Sequence, residues 1–119
     1  MKEKVQIIKG NERYIVNLQD ISYFETCAGK LLAHVVNGSG PDGEREIEFP
    51  GTMKQLEERL RGKGFCRIHR CYLVSLDYIG EVSQGTLRIN AGKESLLPIG
   101  RVYAEQLMGS IEKYHAVLI

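Results

Sequence analysis

Short segments that alternate apolar and polar residues recur along this chain, most of them closed by a glycine-containing turn. That pattern limits the fold more than any other feature, because a period of two marks a strand with one face on a core. Val5 and Ile7 bracket polar Gln6, Lys9-Gly10-Asn11-Glu12 reads as a tight turn, and Arg13-Tyr14-Ile15-Val16-Asn17 reads as the partner strand. Ile21–Thr26 and Leu31–Val36 follow, joined by the short connection Cys27-Ala28-Gly29-Lys30. The glycine-rich segment 37–43 is a loop, and Arg45-Glu46-Ile47-Glu48-Phe49 alternates strictly. Further strands are expected at Tyr78–Val82, Thr86–Ile89 and Ser95–Pro98, separated by Gln84-Gly85 and Ala91-Gly92.

The period changes twice. Thr52 followed by Gln55 is a capping box, and Met53, Leu56 and Leu60 fall on one helical face, so a helix is expected to about Arg61, stopping at Gly62-Lys63-Gly64. From Arg101 to about Tyr114, Val102, Leu107, Met108 and Ile111 can share a face, with Gly100 as an acceptable N-cap. Many short strands with one central and one terminal helix predict a mainly antiparallel β fold. The 119 residues show no repeat and no dividing linker, and are expected to form one domain over residues 1–119.

Residues 65–79, FCRIHRCYLVSLDYI, begin as a strand and then break the rule. Phe65, Arg67 and His69 fall on one side and Cys66, Ile68 and Arg70 on the other, after which both sides are apolar. The strand is expected to end near Arg70, with Cys71–Leu76 packing down as a turn or short helical piece. Arg67 and His69 share the face of Phe65, which predicts an arginine–carboxylate pair and a hydrogen-bonded histidine. Arg70, at the strand's end, is expected to face solvent and a binding partner.

Charge is separated along the chain although the net value is only +1. Arg59, Arg61, Lys63, Arg67 and Arg70 lie in a stretch free of acids, and Asp42, Glu44, Glu46 and Glu48 are opposed only by Arg45. A near-neutral chain of this kind can still present a basic face to a polyanion. Three unpaired-looking cysteines, Cys27, Cys66 and Cys71, argue against a disulfide framework and for a reducing, cytoplasmic setting. Cys66, His69 and Cys71 do not have zinc-knuckle spacing, so no metal is expected. A redox-sensing thiol at Cys66 or Cys71 would need exposure beside positive charge. No segment approaches the ~20 apolar residues of a membrane span, so no membrane insertion is expected.

No phosphate-cradling glycine loop and no nucleophile elbow occur. His34 and His115 stand alone in the sequence, and Glu25 at a strand end reads as a pairing or capping carboxylate. Nothing assembles an acid, a base and a nucleophile. The chain therefore reads as a binding protein, not an enzyme, with no cofactor.

Four segments in order resemble the LytTR family of DNA-binding domains of bacterial transcription regulators. They are Asp20-Ile21-Ser22-Tyr23-Phe24-Glu25, Met53–Leu60, Phe65–Ile79 and Leu97-Pro98-Ile99-Gly100-Arg101-Val102-Tyr103. Ser75, Cys71 and Gly100 depart from the family's usual asparagine, serine and serine. The resemblance implies an elongated stack of small antiparallel β-sheets with a helix beside it, reading DNA through loops instead of a recognition helix. It implicates Gly29 and Lys30, Arg70, and Gly100 and Arg101 in DNA contact; Lys93 is added from its charge and its place in the neighbouring turn. The implied partner is double-stranded DNA with repeated elements, met by a pair of protomers. A receiver domain or sensor partner would lie outside this chain, which would act alone or as part of a longer regulator. The alternative is a protein-interaction module of the same fold contacting a sensor or membrane partner. The terminal helix and the apolar tail Ala116-Val117-Leu118-Ile119 motivate that alternative, although the tail is expected to dock on its own core.

Overall fold

The computed structural model describes residues 3–37, 43–91 and 95–119. Among the described residues there are ten strands: β1 (Lys4–Lys9), β2 (Glu12–Asn17), β3 (Ile21–Cys27), β4 (Lys30–Val36), β5 (Glu44–Phe49), β6 (Phe65–His69), β7 (Tyr72–Ser75), β8 (Ile79–Ser83), β9 (Thr86–Ile89) and β10 (Ser95–Pro98). Helix α1 (Met53–Arg59) precedes β6, and α2 (Ala104–Tyr114) closes the order. The strands form three antiparallel sheets: β1-β2, β5-β4-β3-β7-β6 and β10-β9-β8. Stacked, they make an elongated body of 48 × 27 × 26 Å.

The central sheet is covered on both faces, which explains the failed alternation after Arg70. On one face Phe24, Leu31, Ala33 and Leu73 meet Ile7 of the N-terminal hairpin and Met53 and Leu60 from α1 and its end. On the other, Tyr23, Cys66, Ile68 and Val74 meet Leu87, Ile89 and Leu97 of the three-stranded sheet and Leu107 of α2. Neighbours in sequence, Tyr23 with Phe24 and Leu73 with Val74, thus serve different cores. Burying each large apolar side chain stabilises the stack by roughly 1.5–3 kcal/mol.

Helix α1 starts where the capping box places it. Gln55 N–H donates to the Thr52 hydroxyl at 3.2 Å and Thr52 N–H donates to the Gln55 side-chain oxygen at 3.0 Å. Its regular part ends at Arg59, and Gly62 and Gly64 then turn the chain with positive φ.

Three expectations are corrected. Tyr72–Ser75 is a strand, not a turn or helical piece, because it lies between β3 and β6 and fills both core layers. The helical face drawn through Val102 and Met108 does not exist as such. Arg101–Tyr103 forms a separate 3-10 turn, leaving Val102 88% exposed and Met108 exposed, while Leu107 is buried. The tail does not dock: Val117, Leu118 and Ile119 are exposed. Leu107 and Ile111 already cover the second core, and His115 leaves the helix in extended backbone with its Nε2 held 2.9 Å from the Leu76 carbonyl.

Candidate nucleic-acid interface

Four connections are joined in sequence by backbone hydrogen bonds, beginning at one end of the central sheet. Thr26 N–H donates to the Cys71 carbonyl at 3.0 Å, which sets the β3–β4 turn beside the β6–β7 turn. Gly100 N–H donates to the Ile68 carbonyl at 2.7 Å, which sets the segment after β10 beside the end of β6. Ile99 N–H donates to the Gly85 carbonyl at 2.9 Å, which adds the β8–β9 turn. Gly29, Lys30, Arg70, Gly100 and Arg101 therefore lie on adjoining connections. Lys93 lies outside the described residues.

The β3–β4 turn has two central residues, with φ of 50° at Ala28 and 78° at Gly29. Positive φ at both positions is what a primed hairpin turn requires, and at Gly29 only glycine meets it without strain. A side chain there would touch nothing within 4 Å, so glycine serves the backbone conformation and also leaves the turn open to approach. Lys30 is exposed but not free: its Nζ lies 3.1 Å from Glu48 on β5.

The β6–β7 turn is braced by the two residues that the alternation turned toward Phe65. Arg67 is 15% exposed in its side chain, and its Nη1 reaches Glu57 of α1 at 3.4 Å. Its Nη2 donates to the Arg70 carbonyl at 2.9 Å and its Nε to the His69 carbonyl at 3.4 Å. The guanidinium also lies over the Tyr103 ring, 5.4 Å from its centre. His69 Nδ1 accepts the Cys71 N–H at 3.0 Å, which fixes the proton of the neutral ring on Nε2. With this support, Arg70 projects into solvent, and among the described residues neither its guanidinium nor that of Arg101 has an ion-pair partner.

Gly100 is half-buried against Tyr103. A Cβ added there would come 3.0 Å from Tyr103 Cδ2 and 3.6 Å from the His69 Cα. Close packing therefore accounts for glycine at this position. Glu57 and Tyr103 complete the brace, and sequence reasoning did not single them out. Tyr103 stands only two residues after Arg101, but Glu57 belongs to a different element, and no local pattern marks it.

Acids near the turns are engaged by neighbours. Glu25 lies 2.6 Å from His34 Nε2, and Glu46 lies 3.8 Å from His34 Nδ1. The His34 ring stacks on Tyr23 with centres 4.0 Å apart, and burial pushes the Tyr23 hydroxyl up from its ordinary range. Burial likewise pushes the Cys66 thiol up, which disfavours the thiolate that a redox sensor needs there.

Adjoining turns of this β-stack thus carry exposed arginines that have no ion-pair partner among the described residues. The family model described as the LytTr DNA-binding domain matches residues 11–112. The chain belongs to this family, whose work is DNA binding in transcription regulation. It is 36% identical over 74 residues to the sensory transduction protein LytT of Oceanobacillus iheyensis, covering 58% of this chain and 30% of that protein. It is 26% identical over 109 residues to LytT of Bacillus subtilis, covering 89% and 42%. The CO-responsive transcriptional regulator RcoM of Rhodospirillum rubrum is 36% identical over 64 residues, covering 50% and 27%. The chain thus spans less than half the length of each of these relatives. A solved LytTr DNA-binding domain from Bacillus cereus has the same fold, with a TM-score of 0.71 over 93% of this chain and 98% of that one at 16% identity. No helix among the described residues is long and apolar enough to cross a membrane.

Proposed function

We propose that this chain binds double-stranded DNA sequence-specifically in bacterial transcription regulation, inserting its loops into successive major grooves. One observation carries the reading: the turns bearing Lys30, Arg70 and Arg101 are bonded to one another in series at one end of the central sheet. Arg70 and Arg101 have the geometry to grip guanine O6 and N7 or to clamp phosphate. Lys30 and Lys93 serve as phosphate contacts, which set register without reading sequence. Gly29 and Gly100 let the backbone approach closely, and Arg67 and His69 hold the Arg70 turn in place. Residues 1–119 act as one binding unit in the cytoplasm. A pair of protomers meets repeated elements, and a receiver domain or sensor partner supplies the signal.

Selection from a random duplex library, followed by mobility shift at several salt concentrations, tests this. Enrichment of a repeated motif that the chain retains over scrambled duplex is the expected result. A protein-interaction module of the same fold is the second reading, and the exposed Val117-Leu118-Ile119 tail favours it. No retention of any duplex at low salt would decide for that second reading.

A further inference from the structure

Among the described residues strand β1 pairs only with β2, so its other edge has no strand partner there. The two-residue turn Gly10-Asn11 makes Lys9 and Glu12 the first hydrogen-bonded pair. Alternate residues Gln6 and Ile8 therefore turn their amide and carbonyl groups away from β2, and among the described residues these groups find no backbone partner outside the hairpin. The open edge faces α1 across a groove of about 510 Å³. Half-buried Phe49 and Leu56 give the groove an apolar lining, and Lys4, Arg59 and Lys63 contribute cations. Lys63 is paired with Glu3 at 2.7 Å, whereas Lys4 and Arg59 have no ion-pair partner among the described residues. Strand β1 also precedes the residues that the family model matches.

We propose that this groove binds an extended acidic segment of a partner protein, which adds as a strand to the open edge of β1. Main-chain bonds to Gln6 and Ile8 would supply affinity, and alternate side chains would be sorted between apolar lining and basic rim. An acidic peptide with apolar residues at every second position satisfies both surfaces at once. A nucleic-acid backbone does not, because phosphates have no use for Phe49 and Leu56. The groove is also displaced from the proposed DNA loops. Its Lys63–Glu3 mouth lies at the Phe65 end of β6, where Leu76 N–H donates to the Gly64 carbonyl, and the Arg70 turn lies at the other end. Five residues of strand, roughly 16 Å, separate the two.

The test uses a short fluorescein-labelled peptide of alternating glutamate and valine, titrated by anisotropy against the full chain and mapped by amide chemical shifts. Saturable binding is expected, with shifts confined to β1 and α1, while a peptide of alternating lysine and valine does not bind. Gln6→Pro removes an edge donor whose N–H does not bond β2, together with the side-chain bond that Arg13 donates to Gln6 at 2.9 Å, and Arg59→Glu reverses an exposed rim charge. Each is expected to weaken the peptide about tenfold while leaving retention of the selected duplex unchanged. Should Gln6→Pro disturb the hairpin, Arg59→Glu carries the test alone. No saturable binding, shifts elsewhere, or an affinity indifferent to Arg59→Glu would overturn the proposal. So would a duplex that shifts the same β1 and α1 amides, since the rim would then serve DNA.

Discussion

The guanidinium of Arg67 holds the main chain of Arg70, with Nη2 donating to the Arg70 carbonyl at 2.9 Å while Nη1 is anchored on Glu57. One arginine is thus spent as scaffold so that the next can face outward. Lysine keeps the charge at this position but lacks the fork needed to hold a carboxylate and two carbonyls together. Arg67→Lys is expected to destabilise the fold by about 1–3 kcal/mol, because it leaves Glu57 and the turn carbonyls under-bonded. It is also expected to weaken specific DNA binding. If Arg67 acts through Arg70, that second loss vanishes in an Arg70→Ala background, a non-additivity that a double-mutant cycle reads directly. Equal losses in both backgrounds would show that Arg67 touches DNA itself.

Arg70→Ala and Arg101→Ala remove exposed side chains without ion-pair partners among the described residues, so urea midpoints should barely move. Each should cost about 1–3 kcal/mol of binding to the selected duplex, and relax preference at one base position, if it reads a base edge. The check is anisotropy on the selected site and on single-base variants. Full affinity in both variants would remove these turns from the interface.

The Lys30–Glu48 pair gives a third prediction. A lysine that must leave Glu48 to reach phosphate contributes less than a free one. Lys30→Ala should weaken all duplexes alike and reduce the slope of log K against log salt by about 1. Glu48→Gln releases Lys30 and should raise affinity for every duplex at low salt, with the gain fading as salt rises. Affinities across a salt series for the three proteins settle the point. An unchanged slope in Lys30→Ala would assign Lys30 to Glu48 alone.

Legibility in the sequence followed the range of the interaction concerned. The hairpin turns, the capping box and the strand run up to Arg70 depend on neighbours within a few residues, and they are readable there. The inward role of Arg67 follows from its sharing the face of Phe65, and the outward role of Arg70 from its place beyond the end of β6, because parity alone would turn it with buried Cys66 and Ile68. What parity cannot supply is a layer count. Leu73 and Val74 both being buried is the mark of a strand covered on two faces, yet in a single sequence it is indistinguishable from a turn of helix packed into a core. Spacing alone lets Val102 share a helical face with Leu107 and Ile111. The 3-10 turn that seats Tyr103 against Gly100 rotates it into solvent. The partners Glu57 for Arg67 and Glu48 for Lys30 are tertiary facts with no local trace.

Burial of Cys66 and Tyr23 makes stability fall on the alkaline side. Desolvation raises both groups, so each holds its proton to higher pH in the folded chain than in the unfolded one. Between the two values the native state binds more protons, and unfolding free energy declines as pH rises. The contribution from Cys66 is intact below the ordinary thiol value of about 8.5 and is lost as pH climbs through the folded value; that of Tyr23 follows from about 10. Urea midpoints measured from neutral pH upward should therefore start to fall near pH 8.5 and steepen beyond 10. Cys66→Ala adds a pH-independent loss from the cavity it leaves, but it should remove the first part of the decline and delay its onset. A wild-type and variant pair falling in parallel over the whole range would mean that Cys66 titrates alike in both states, against the burial of its thiol between the central sheet and α2.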